Sequence, residues 1–257
     1  MPEAVPTPPS ERPILAFFDV DNTLLRGASI YHLGLGAWRT GMIRKRDIVR
    51  FAWHQARFVA VGENNRHLGQ IRDRGLELAG GHSVDDLVAL AEDIYHRDIE
   101  PKLWPETVEL AKEHLDKGHE VWLITATPKI VAEVIARKLG LTGALGTVVE
   151  ARDGVFTGKL DGPVLHGAQK AVAAESLARR IGASLADCWA YSDSRNDIPL
   201  LSIVGNRVVV NPDAALARYA RVEGWPALKL NPASIREARR RVAREARATR
   251  ANKKRQA

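Results

Sequence analysis

The sequence predicts an α/β fold: a parallel sheet flanked by helices, with a helical module inserted after the first strand. Short apolar runs recur at "ILAFFD" (14–19), "EVWLIT" (120–125), "GTVVE" (146–150), "DCWAYSD" (187–193) and "RVVVN" (207–211). Runs of this length, bounded by polar or turn residues and separated by amphipathic stretches, read as strands buried on both faces of a parallel sheet. About a hundred residues separate the first two runs, far more than one crossover helix requires.

The opening "MPEAVPTPPSERP" has five prolines and no apolar core of the signal-peptide kind, so residues 1–12 are expected to form a disordered tail. The first strand then starts a core predicted over 13–26 and 104–230, interrupted by a helical cap over 27–103. Within the cap, "ASIYHLGLGAWRTGMI", "KRDIVRFAWHQARFVAV", "NRHLGQIRDRGLELA" and "SVDDLVALAEDIYHRDI" read as helices. The last opens with Ser83 and, three residues on, Asp86, a capping signature, and stops before Pro101. Trp38, Phe51, Trp53 and Phe58 are expected to form the insert's own core. After the second strand, "VVEARDGVFTGKL" predicts a hairpin turning at Asp153-Gly154. Asn231-Pro232 and the Ser234 to Glu237 pair mark a helix start, with Ile235, Ala238 and Val242 as a thin apolar stripe.

At 257 residues, 45% hydrophobic and 27% charged, the chain has the composition of an ordinary globular protein. It contains no apolar run long enough for a membrane span, and a cytoplasmic location is expected. Its single cysteine, Cys188, excludes an intramolecular disulfide and reads as a small buried strand residue. The net charge of +7 is a property of one end: residues 236–257 hold ten Lys or Arg against two Glu, a local +8, which leaves 7 − 8 = −1 for the rest. A weak, nonspecific arm for nucleic acid or an anionic membrane is therefore confined to the basic tail, residues 231–257. The tail has no aromatic residue for base stacking, which favours a solvated tail.

Ligands of parallel α/β sheets bind beyond the carboxyl ends of the strands. Asp19, Thr125 and Asp193 terminate three of the predicted strands, Asp21 follows two residues after Asp19, and Lys170 lies near the start of the helix in "HGAQKAVAAESLARR". Carboxylates brought together repel unless a cation joins them, and an all-oxygen donor set beside a phosphate suits Mg²⁺. Thr23 is expected to cap the turn after the first strand, and Asp153, Asp161, Asp187 and Asp213 to serve as turn or cap residues. The histidines show no metal-site spacing and read as surface or packing residues.

"DVDNT" (19–23 within it), "LITATP" with Thr125, Lys170 and "SDSRND" (192–197) resemble the four motifs of the haloacid dehalogenase-like phosphatases. The insert resembles the cap of the phosphoserine phosphatase-like group, class IB, and the likeness spans roughly residues 14–212 by its motif order. It implies a Rossmann-like sheet with an inserted helical cap and a Mg²⁺-dependent phosphatase acting on a small phosphate monoester. By the same resemblance Asp19 is the nucleophile that forms an aspartyl-phosphate, and Asp21 is the general acid and base. Thr125, Ala126 and Lys170 bind the phosphate; Asp19, Asp193 and the backbone carbonyl of Asp21 hold the metal; Asn196 and Asp197 support them. Dehalogenases lack the acid at the position of Asp21, which favours a phosphatase. The alternatives are a phosphotransferase of the same superfamily, or a protein whose role includes RNA or membrane binding through the tail. Serine recognition in that group uses an acid shortly after the first motif, whereas Asn22 to Arg46 contains no Asp or Glu and the matching position is Ala28. A glycine pair after the second-motif hydroxyl is replaced by Ala126-Thr127. Phosphoserine is thus expected to be a poor substrate.

Overall fold

The computed structural model describes residues 12–43, 79–242 and 244. The two middle helices expected in the insert, together with Phe51, Trp53 and Phe58, lie outside the described residues, as do the N-terminal tail to residue 11 and most of the basic tail. In chain order the elements are β1 (Leu15–Phe18), α1 (Ser29–Arg39), α2 (Val84–Ile94), α3 (Pro105–Asp116), β2 (Glu120–Pro128), α4 (Lys129–Leu139), β3 (Gly143–Thr147), β4 (Val149–Arg152), β5 (Val155–Leu160), α5 (Ala168–Ile181), β6 (Trp189–Ser192), α6 (Ile198–Ile203), β7 (Asn206–Val210), α7 (Ala214–Val222) and β8 (Ala227–Leu228).

Six strands form one parallel sheet in the order β3-β2-β1-β6-β7-β8. The central β1 explains its own uninterrupted apolar run. Ala16 and Phe18 face one core cluster and Leu15 and Phe17 the other, and all four are fully buried, because side chains alternate across a strand covered on both faces. The expected hairpin is β4-β5, with Asp153 at φ 50 and Gly154 at φ 77 in its turn.

Three strand details differ from the sequence reading. β2 continues three residues past Thr125, with a break in register between Ile124 and Pro128. The "GTVVE" run splits into the end of β3 and the start of β4. The chain leaves the sheet at Thr147, whose hydroxyl donates to the Ala126 carbonyl at 2.7 Å and accepts the Leu165 N–H at 3.1 Å. β8 is only two residues long and has no apolar pattern to announce it.

The described part of the insert packs on the sheet layer. Leu87, Leu90, Ala91 and Ile94 of α2 share one cluster with Ala16, Phe18, Val121 and Ile135. α1 crosses α2 at Gly36, where a Cβ would collide with Ile94 and Leu90. Trp38, expected in the core, is 40% exposed; the face of α1 that turns inward carries Ser29, His32, Gly36 and Ala37. Ser83 caps α2 as anticipated, its Oγ accepting the Asp86 N–H at 3.0 Å. The two links between insert and sheet run side by side: Arg26 N–H donates to the Lys102 carbonyl and Trp104 N–H to the Leu24 carbonyl, both at 2.9 Å. At the other end of the chain, the helix over residues 232–242 buries Ile235 but leaves Val242 exposed.

Under β1 and β6 lies a buried polar chain. His114 Nε2 is 2.8 Å from the Tyr191 hydroxyl and its Nδ1 is 2.8 Å from His119 Nδ1, while Tyr191 stacks on Phe18 with centroids 4.2 Å apart. Burial pushes the His114 imidazole down to about 4, helped by His119 and Lys117. A histidine whose folded pKa is depressed binds fewer protons folded than unfolded, so its contribution to stability is lost as pH falls below about 6.5, the unfolded value. The stability advantage of the wild type over His114→Gln, measured by denaturant melts, should therefore narrow between pH 7 and pH 5; a constant gap would contradict the assignment.

Candidate active site

From β1 the chain moves to β2 and β3 on one side of the sheet and later to β6, β7 and β8 on the other. The switch point lies between β1 and β6, and a parallel α/β sheet opens its ligand crevice there, beyond the strand carboxyl ends. Asp19 and Asp193 follow these two strands directly. The Asp19 N–H donates to the Tyr191 carbonyl at 3.0 Å, locking the two strand ends together.

Lys170, in the first turn of α5, joins them. It is 3% exposed, and its Nζ donates to Asp19 Oδ1 at 2.7 Å and to Asp197 Oδ2 at 2.6 Å. Asp197 Oδ2 also accepts the Ser192 hydroxyl at 2.7 Å. Burial pushes the Asp19 carboxyl up to about 7, against the pull of Lys170. Burial likewise raises Asp193 to about 6, with Asp197 adding to it. Burial alone would lower the Lys170 ammonium, but Asp19 and Asp197 together hold it above the ordinary lysine range.

One ammonium thus faces three carboxylates, Asp19, Asp193 and Asp197, a shortfall of positive charge at this strand end. A hard divalent cation fits that deficit, since every donor at this edge is oxygen. No group of three or more His, Cys, Asp or Glu side chains suited to a metal occurs among the described residues. A cation here would therefore draw on two carboxylates and main-chain oxygen.

Asp21 stands in a different setting, half-buried and turned toward the insert. Its Oδ1 accepts both the N–H and the hydroxyl of Ser29, at 2.8 and 2.5 Å. The loop that carries it is closed by Asn22, at φ 57, whose Oδ1 accepts the Gly27 N–H at 3.0 Å; a short amide side chain tolerates this left-handed backbone. Thr23 does not cap the turn as expected. The Leu24 and Leu25 amides both donate to the Val20 carbonyl, at 3.0 and 2.9 Å, so no free N–H remains for its hydroxyl, which is buried without a partner.

Thr125 is buried, and its hydroxyl both donates to Thr127 Oγ1 and accepts the Thr127 N–H, each at 3.2 Å. Ala126 is exposed between them. Asn196 is exposed and its amide donates to Ser194 Oγ at 3.2 Å; of the two expected supporting residues, Asp197 is the one that bonds Lys170. Asp213 is the helix cap anticipated, its Oδ1 accepting the Ala215 and Leu216 amides at 2.9 and 2.8 Å. It is also a clamp on the loop that presents Asp193: its Oδ2 accepts the Arg195 N–H at 2.8 Å and its own N–H donates to the Asp193 carbonyl at 2.9 Å.

Sequence reasoning missed Ser29 as a partner of Asp21, Thr127 as its neighbour, and the clamp by Asp213. Only the cap signature of Asp213 was visible along the chain, because the clamp depends on β6 and β7 ending side by side. Arg26, just before α1, and Tyr31, in its first turn, are exposed. His32 is buried, with Nε2 3.4 Å from Lys102 Nζ and Nδ1 without a partner.

A family model described as haloacid dehalogenase-like hydrolase matches residues 16–202. The chain belongs to this family. It is 51% identical over 219 residues to phosphoserine phosphatase SerB1 of Mycobacterium tuberculosis, covering 85% of this chain and 71% of that protein. It is 30% identical over 222 residues to the histidinol-phosphatase of Neisseria meningitidis, covering 83% and 97%. A solved structure of a Bordetella pertussis protein with unknown function aligns with a TM-score of 0.73 at 31% identity, over 84% of this chain and 98% of that one. Phosphoserine phosphatase in the form of a phospho-aspartyl intermediate analogue shares the fold, with a TM-score of 0.58 at 22% identity over 89% of this chain and 99% of that one. The expected fold and enzyme class both hold: this is a phosphatase of the haloacid dehalogenase-like family, a phosphoric monoester hydrolase. No helix among the described residues is long and apolar enough to cross a membrane.

Removing Lys170 would leave Asp19 and Asp197 buried without their cation. Lys170→Met should cost about 3–5 kcal/mol at neutral pH without divalent cations. Without the ammonium that pulls it down, the Asp19 carboxyl would be raised further, so the folded variant takes up protons and regains stability as pH falls. Urea melts of both proteins at pH 7.5 and 5.5 test this, and a cost independent of pH would contradict it.

Proposed function

We propose that this phosphatase hydrolyses a small phosphate monoester through an aspartyl-phosphate on Asp19, with Mg²⁺ as cofactor. The observation that carries the reading is the contrast between two carboxylates two residues apart. Asp19 is buried and held by the Lys170 ammonium, whereas Asp21 is half-buried and, among the described residues, held by the Ser29 N–H and hydroxyl. Carboxyls placed in different environments take different chemical roles.

In this mechanism the Asp19 carboxylate attacks phosphorus, forming one P–O bond as the bond to the leaving oxygen breaks. Rigid support from β1, the Tyr191 carbonyl and Lys170 fixes its line of attack. Asp21 gives a proton to the departing alcohol. A water then attacks the aspartyl-phosphate while Asp21 takes its proton, the bond to Asp19 breaks, and inorganic phosphate leaves. Lys170 offsets charge on the transferring group, and the Thr125 hydroxyl and the amide at Ala126 bind its oxygens. Mg²⁺, held by Asp19, Asp193 and the Asp21 main-chain carbonyl, would supply the remaining positive charge that lets a carboxylate approach a phosphate dianion.

For the leaving group, two observations pull apart. The M. tuberculosis relative is named a phosphoserine phosphatase, yet Ala28 stands where an acid would hold the serine ammonium, and α1 has no acid in its first turn. A missing charge-assisted hydrogen bond weakens recognition by about 10- to 100-fold. The preferred substrate is accordingly a monoester other than phosphoserine.

Purified protein should release phosphate from alkyl and aryl phosphates with Mg²⁺ and stop on chelation, and Asp19→Asn should lose about a thousandfold or more in kcat. In steady-state comparison, phosphoserine should not exceed uncharged alkyl phosphates or histidinol phosphate in kcat/KM. Full turnover by the Asp19 variant would refute the mechanism, and a wide preference for phosphoserine would refute the substrate reading alone.

A further inference from the structure

Helix α1 begins at Ser29, and its N-cap residue, Ala28, has no side chain able to accept the free amides of the first turn. Such amides are normally answered by a capping oxygen within the same segment. Here the acceptor comes from the sheet side: Asp21 Oδ1 takes the Ser29 N–H at 2.8 Å. The same oxygen takes the Ser29 hydroxyl at 2.5 Å, and Ser29 is fully buried.

The direction of the hydroxyl chain behind Ser29 follows from counting protons. A hydroxyl has one hydrogen to give. Ser29 spends its hydrogen on Asp21, so across the 2.5 Å contact between Ser29 Oγ and Thr127 Oγ1 the donor is Thr127. Thr127 in turn accepts from Thr125 at 3.2 Å. The hydroxyls of Thr127 and Ser29 therefore point their hydrogens one way, ending on Asp21 Oδ1, whereas the Thr125 hydrogen, which rests on Thr127 here, is the one that turns to a phosphate oxygen on substrate binding.

We propose that Ser29 is a positioning residue for Asp21: by filling Oδ1 with two donors it confines the transferable proton to Oδ2, and it ties that carboxyl to the start of α1. The inference rests on the reading of Asp21 as the general acid. An acid whose proton can sit on either oxygen, or whose carboxyl can rotate, spends less time aligned with the leaving oxygen. The loss should appear only when the leaving group needs a proton. An alkoxide needs one, whereas p-nitrophenolate departs without help.

The test compares kcat/KM for β-glycerophosphate and p-nitrophenyl phosphate in the wild type, Ser29→Ala, Thr127→Val, Asp21→Asn and the Ser29→Ala/Asp21→Asn double variant, with thermal melts to confirm folding. Ser29→Ala should lose about 10- to 100-fold on the alkyl ester, the range for a hydrogen bond to a charged group, and about threefold or less on the aryl ester. Thr127→Val, which leaves the Ser29 hydroxyl in place but removes its orienting donor, should show a smaller loss of the same kind. In the Asp21→Asn background, Ser29→Ala should cost nothing further, because the interaction it supports has gone. Equal losses on both esters, no loss on either, or a full additional loss in the double variant would overturn the proposal. An Asp21→Asn variant indifferent to leaving group would overturn the acid assignment itself, and the role of Ser29 with it, while phosphatase activity through Asp19 would still stand.

Discussion

The Lys170 ammonium, buried between Asp19 and Asp197, is the interaction on which the site depends. Taking three charges out of water is costly, and only close pairing with full hydrogen bonding offsets that cost. The parallel sheet supplies the pairing. β1 and β6 end side by side at the switch point, α5 starts opposite them, and Ser192 fills the second acceptor direction of Asp197. Asp213 holds the loop beyond β6 from the end of β7. Separate stretches of chain thereby meet at this strand end, and a displacement of β1 or α5 would leave a buried charge unanswered.

The same arrangement is left short of positive charge. Asp19 and Asp193 are both pushed upward by burial, Asp19 even with Lys170 in contact. A site whose own cation does not neutralise its carboxylates favours whatever brings more positive charge, and disfavours a phosphate dianion until it arrives. Asp21 sits past the strand end and bonds to the insert instead. Its chemistry can then respond to α1 while Asp19 stays fixed to the sheet.

Much of the fold was legible because burial on two faces writes itself as apolar runs, and "ILAFFD", "DCWAYSD" and "RVVVN" all became strands of the sheet. Asp19 and Asp193 were legible as strand ends, which converge by topology, and Lys170 through its place in the order of the motifs. Contacts made across the fold were not. Nothing local distinguishes Ser29 or Thr127 from ordinary polar residues, and their bond spans 98 positions. Trp38 was misplaced because α1 turns its small residues inward at the close crossing by Gly36, which leaves no room for an indole. Thr23 was misread because competition for the turn's amides, won here by the Val20 carbonyl, has no trace in residue type. β8 escaped notice because two residues carry no periodicity.

The central claim is covalent: the phosphoryl group passes through Asp19. Asp21→Asn, which slows the second step by removing the group that activates water, should accumulate this species when mixed with p-nitrophenyl phosphate and Mg²⁺ and quenched in acid. Peptide mapping by mass spectrometry should then find one phosphoryl group on the β1 peptide at Asp19, in an amount matching the burst of p-nitrophenol. A burst with the label on any other residue, or steady turnover with no labelled protein at any time, would contradict the account.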